Sequence, residues 1–156
     1  MMKKILITGG AYQGKYRYAK EYYHITESNC IDFKETENFE FEKTENMPKH
    51  IISFIKQKTG IEDVMNEIIC FNNMHLLVKQ AVKHEIDVID LWKKILNQFH
   101  IHNNWCVIMD EIGNGIVPID RFEREYREKA GIFGCYIAGE ADEVVRVICG
   151  IGNRIK

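Results

Sequence analysis

Five short apolar runs punctuate the chain, at Lys4–Thr8, Cys30–Phe33, Glu67–Phe71, Trp105–Asp110 and Glu143–Gly150. Each is continuous in character instead of alternating with a period of two, the pattern of strands covered on both faces. Stretches of helical period lie between them. Lys15–Tyr23 follows the first run closely. Pro48 suits the first turn of a helix that turns Ile51, Ile52 and Ile55 inward. Asn72 or Asn73 is placed to cap a helix running to about Lys83. Across Glu85–Phe99, the residues Ile86, Ile89, Trp92 or Lys93, Leu96 and Phe99 return near helical spacing and make one apolar face. A further helix is predicted from near Pro118, with Asp120 and Glu123 at its electropositive start and Gly131 as its stop. Gly150-Ile151-Gly152-Asn153 reads as a turn, and Ile155 as part of a short antiparallel return strand. The strand–helix alternation predicts one α/β domain over residues 1–156. It would be a three-layer fold: a mostly parallel sheet, an antiparallel C-terminal strand, and helices on both faces.

Composition adds exclusions. The 156 residues carry a net charge of −2 with no basic stripe, so no nucleic-acid partner is expected. No run approaches the ~20 apolar residues that span a bilayer, and the N-terminal run is too short for a signal h-region. A cytoplasmic protein with no membrane partner is the expectation. Five cysteines occur, none as CxxC. Cys70, Cys106 and Cys149 lie in apolar runs and read as small buried hydrophobes, and the odd count fits a reducing compartment. The acidic stretch Glu35–Glu45, with Phe39 and Phe41, reads as a solvated edge or loop.

The chemistry begins after the first run. Gly9-Gly10-Ala11-Tyr12-Gln13-Gly14-Lys15 is a GxxxxGK loop between a strand and a helix. Such a loop points successive backbone N–H groups at phosphate oxygens, helped by the helix N-terminus, while its lysine reaches the β- and γ-phosphates. A glycine turn that binds nothing is the plainer alternative, and the strand–loop–helix setting argues against it. Tyr16 stands where a Ser or Thr hydroxyl would hold Mg²⁺. Further on, the fourth run ends in two acids, Asp110 and Glu111, followed by a Gly113-Asn114-Gly115 loop. Acids at the carboxyl end of a parallel strand sit where such sheets bind ligands. Either could hold Mg²⁺ or orient a nucleophile, and adjacent side chains on a strand point in opposite directions.

Together these segments resemble the adenosylcobinamide kinase / adenosylcobinamide-phosphate guanylyltransferase family. The match lies in Thr8-Gly9-Gly10 with Gly14-Lys15, in Asp110 to Pro118, in Arg121, Arg127 and Ala130-Gly131, in Ala141-Asp142-Glu143-Val144, and in Cys149-Gly150-Ile151. The resemblance implies a homotrimer that transfers the γ-phosphate of ATP or GTP to a hydroxyl of adenosylcobinamide. Mg²⁺ would be held at Asp110, phosphates by residues 9–16, and catalysis would rest on Lys15, Asp110 and Glu111. It also implies a second reaction through a guanylylated histidine, and here the sequence departs from the family. Besides Tyr16, Cys70 stands where an acid ends the third strand, Gly134-Cys135 replaces an Asn-Gln pair, and no HxxxR pattern occurs across Lys34–Lys49. The expectation is a kinase-like protein without guanylyl transfer; the alternative is a non-catalytic nucleotide- or corrinoid-binding relative.

Overall fold

The first apolar run folds as β1 (Lys4–Gly9), and its neighbours fix the architecture. A computed structural model describes residues 3–40, 44–60 and 67–156. Phe41 lies outside the described residues. β1 pairs in parallel with β4 (Trp105–Asp110) on one side and with β5 (Glu143–Ile148) on the other. Beyond β4 come β3 (Ile69–Asn72) and the edge strand β2 (Cys30–Asp32), both parallel. β6 (Ile151–Arg154) pairs antiparallel with β5 and gives the order β2-β3-β4-β1-β5-β6. The expected mostly parallel sheet with one antiparallel C-terminal strand is what forms.

The continuous apolar runs have the predicted consequence. Residues of β1, β3 and β4 are buried whether they point up or down. On one face Leu6, Ile69, Phe71, Trp105 and Val107 meet α2 (Met47–Thr59), α3 (Met74–Lys83), α4 (Val88–Gln98) and α5 (Arg121–Glu140). On the other, Ile5, Ile7, Cys106, Val145 and Val147 meet α1 (Lys15–Tyr23) through Ala19. Trp92 of α4 is the hub of the larger core. Its ring meets Phe71, Trp105 and Phe133 edge-on, with centroids 4.9, 5.7 and 6.4 Å away.

Several boundaries differ from the sequence reading. Gly131 does not end its helix: α5 starts after its N-cap Asp120 and continues to Glu140. Phe133 and Ile137 extend the buried stripe of Tyr126 and Ala130, and that packing outweighs the ~1 kcal/mol a helical glycine costs. α4 keeps only Val88–Gln98 of the predicted span, because Asp87 accepts from the Asp90 N–H and fixes the start. β3 begins at Ile69, and Glu67 stays exposed outside it. The C-terminal turn is Cys149-Gly150 alone, with φ of 50° and 79°, so Ile151–Asn153 are strand. Two successive positive φ values make the tight hairpin that matches strand twist.

Topology locates the crevice. β1 leads into α1 on one face, whereas the chain leaving β4 returns through α5 on the opposite face. Connections diverge at these neighbouring strands, and ligands of open α/β sheets bind outside such a switch point. Register sets Gly9 beside Asp110 there.

Candidate phosphate site at the end of β1 and β4

The loop after β1 needs unusual backbone at three places. Gly9, Tyr12 and Gly14 have φ of 150°, 58° and 85°. Gly14 is the N-cap of α1 and stands in the left-handed region that favours glycine. Tyr12 takes such a conformation with its ring wholly in solvent. At Gly9 a Cβ would run into the Val147 carbonyl of β5. Gly9→Ala is therefore expected to cost about 1–3 kcal/mol of stability, measured by urea unfolding, because the loop must move off β5 to make room.

The far side of the loop is pinned by the β5–β6 hairpin. Gly150 N–H donates to the Gln13 carbonyl at 2.8 Å, and Cys149 N–H to Gln13 Oε1 at 2.8 Å. On the near side lies a cleft of about 410 Å³, walled by the loop, Lys34, Glu37, Asn72, Asn73 and His75. A second cleft of about 400 Å³, at the α3–α4 corner, shares no lining residue with this one.

Lys15 is the centre of the near side. It is buried, and its Nζ donates to the Gly10 carbonyl at 2.6 Å and meets Asp110 Oδ1 at 2.6 Å. The other Asp110 oxygen lies 3.5 Å from His75 Nε2. His75 Nδ1 accepts the Asp110 backbone N–H at 3.0 Å, so the ring proton belongs on Nε2. Burial holds the imidazole below its ordinary pKa, opposed by Asp110 and reinforced by Lys15, so it is neutral at pH 7.

The two adjacent acids part company. Asp110 faces Lys15, whereas Glu111 makes a two-point ion pair with Arg146 of β5, at 2.8 and 2.9 Å, and accepts from Asn114 at 3.1 Å. Those hydrogen bonds hold the Glu111 carboxyl below the usual range. The loop that follows is braced from α5. Arg127 donates to the Gly113 and Ile116 carbonyls, and Arg124 to those of Pro118 and Ile119. Ile116, Val117 and Ile119 are left facing solvent.

Tyr16 forms part of the cleft wall, yet its hydroxyl turns to Cys30 on β2 and its ring packs with the smaller core. Burial, with Cys30 adding to it, pushes the phenol up to about 12. It therefore does not fill the phosphate cradle, and it offers no anionic oxygen. Nor does a ready metal cage exist: among the described residues no three His, Cys, Asp or Glu side chains converge. Mg²⁺ is usually held by one or two carboxylates together with substrate phosphates. Asp110 beside the loop fits that modest demand.

Three participants escape the sequence reading. His75 lacks any spacing that marks a site, and Arg146 sits inside an apolar run. Asp32 ends β2 beside Asn72 and Asn73. The rule that ligands gather at carboxyl ends of parallel strands, applied to β2, would have found Asp32.

A glycine loop bent onto a helix N-terminus, with its lysine against an acid of the neighbouring strand, defines an α/β protein of the P-loop type. The sequence model for cobinamide kinase / cobinamide phosphate guanyltransferase matches residues 5–155, and the chain belongs to that family. The bifunctional adenosylcobalamin biosynthesis protein CobU of Salmonella typhimurium LT2 is 27% identical over 179 aligned positions, covering 97% of this chain and 99% of that one. The Escherichia coli K12 protein of the same name is 42% identical over 50 positions, 32% of this chain and 28% of its own. Among the described residues no helix is long and apolar enough to cross a membrane.

Proposed function

We propose that this chain is a nucleotide-dependent kinase that phosphorylates a hydroxyl of adenosylcobinamide in cobalamin biosynthesis. The observation that carries the reading is the contact of buried Lys15 with Asp110 at the mouth of a GxxxxGK loop, in a chain of this family. The N–H groups of residues 9–16 and Lys15 would cradle the phosphates of ATP or GTP. Lys15 would exchange the Gly10 carbonyl and Asp110 for β- and γ-phosphate oxygens. That exchange frees Asp110 to meet Mg²⁺, which supplies charge neutralisation on the phosphates when bound. The acceptor hydroxyl oxygen bonds to the γ-phosphorus, the bond to the β–γ bridging oxygen breaks, and nucleoside diphosphate leaves with that electron pair. The hydroxyl proton passes to a carboxylate. Asp110 would be the candidate through the oxygen not turned to Mg²⁺, since Glu111 is held by Arg146 and serves to fix the loop.

Guanylyl transfer is absent in this reading. A phosphoramidate needs an imidazole lone pair near the α-phosphate. Among the described residues lining the cleft, the only histidine is His75, and its Nδ1 lone pair is taken by the Asp110 N–H. A second reading, a non-catalytic binder, draws on Tyr16, which stands where a short hydroxyl would hold Mg²⁺. A homotrimer and a cytoplasmic location accompany the family reading; light scattering tests the first and cell fractionation the second.

Calorimetric titration with ATP and with GTP, each with and without Mg²⁺, decides between the readings. Binding that strengthens with Mg²⁺, followed by phosphate transfer to adenosylcobinamide, supports the kinase; nucleotide binding without transfer leaves the binder. Tyr16→Ser restores a short hydroxyl and is expected to raise Mg²⁺-nucleotide affinity several-fold, about 1 kcal/mol for one hydrogen-bonding ligand. No gain would refute the assignment of the lost ligand to position 16.

A further inference from the structure

Beyond Lys15 and Asp110 the cleft continues past His75 to the ends of β2 and β3. There Asp32 is fixed by three donors. Its Oδ1 accepts the Lys34 N–H at 2.9 Å and Asn73 Nδ2 at 2.7 Å, and its Oδ2 accepts Asn72 Nδ2 at 3.2 Å. The carboxylate thereby decides which way both amides face. One N–H of each amide is committed to Asp32, which leaves its second N–H and its carbonyl oxygen for something else. Asn73 shows how firmly its side chain is diverted. It is the N-cap of α3, a position where asparagine ordinarily bonds to the helix's first N–H groups, yet it makes no such bond. Its backbone is left-handed, with φ 54°.

We infer that Asn72 and Asn73, oriented by Asp32, form the acceptor subsite of this cleft and bind donor groups of the phosphoryl acceptor, its hydroxyl or primary carboxamide N–H. The inference rests on the kinase reading, since it is the terminal phosphate at Lys15 that makes this end of the cleft the acceptor's. The opposite flank of the loop is bridged to the β5–β6 hairpin by two hydrogen bonds. The subsite selects against carboxylates, because a second anion beside Asp32 would meet its charge.

The test uses full-length protein, the coloured adenosylcobinamide, and an analogue whose peripheral carboxamides are hydrolysed to carboxylates. Asn73→Gly suits the left-handed backbone and removes only the side chain. It should raise the acceptor Kd and KM at least tenfold, leave nucleotide affinity within twofold, and shrink the preference for the amide over the acid form. Asp32→Asn, which lets the amides turn, should weaken the acceptor in the same sense with nucleotide binding retained. Unchanged acceptor affinity in both variants, or equal loss of nucleotide and acceptor, overturns the subsite while leaving the kinase reading standing. A wild-type protein that binds nucleotide but no adenosylcobinamide overturns both.

Discussion

Lys15→Ala should lower nucleotide affinity by about 2 kcal/mol, roughly thirtyfold, when titrated by calorimetry beside the wild type. The magnitude follows from what Lys15 does in the unliganded chain. Its ammonium is buried, and it holds the Gly10 carbonyl and Asp110 together at 2.6 Å each. The alanine variant loses the charge that would meet the phosphates and leaves Asp110 facing the neutral His75. An anion arriving in the loop then meets an uncompensated carboxylate. Lys15→Arg should not rescue, because a planar fork cannot take the place of a compact ammonium beneath the loop. Affinity within twofold of wild type in the alanine variant would mean that phosphates do not bind here.

Trp92→Ala should cost about 3–5 kcal/mol of folding stability, the range for removing a fully buried large aromatic. Trp92 packs against Phe71 on β3, Trp105 on β4 and Phe133 on α5, so one truncation opens a void among three elements. Trp92→Phe should cost less, since an edge-to-face ring remains. Urea unfolding followed by far-UV circular dichroism reads both. A loss below about 1 kcal/mol in the alanine variant would mean that the neighbours collapse onto the gap.

The parts of this fold that could be read from the sequence are those set by local pattern. β1, α1 and β4 are announced by a continuous apolar run, a glycine loop and a run ending in acids, and their boundaries fall within a residue of the reading. Gly131 misled because glycine's low helix propensity is a local preference, while Phe133 and Ile137 answer to the core. The partition of the two acids was foreseeable in kind, since strand neighbours diverge, but not in its partners. Arg146 reaches Glu111 from 35 positions away, and nothing in either neighbourhood marks the pair. Asp32 and Asn73 are 41 positions apart, joined only because β2 and β3 lie side by side. Periodicity reports which face a residue takes, and it is silent about which distant side chain shares that face.

The hairpin that pins Gln13 bears on how the chain comes off the ribosome. The phosphate loop is made well before its anchors at Cys149 and Gly150, 136 positions earlier for the Cys149 bond. β1 likewise waits for both of its partners, β4 and β5. A nascent chain arrested before the hairpin would carry the whole GxxxxGK sequence without the two bonds that hold Gln13. The loop therefore gains these two anchors only once the hairpin has been made.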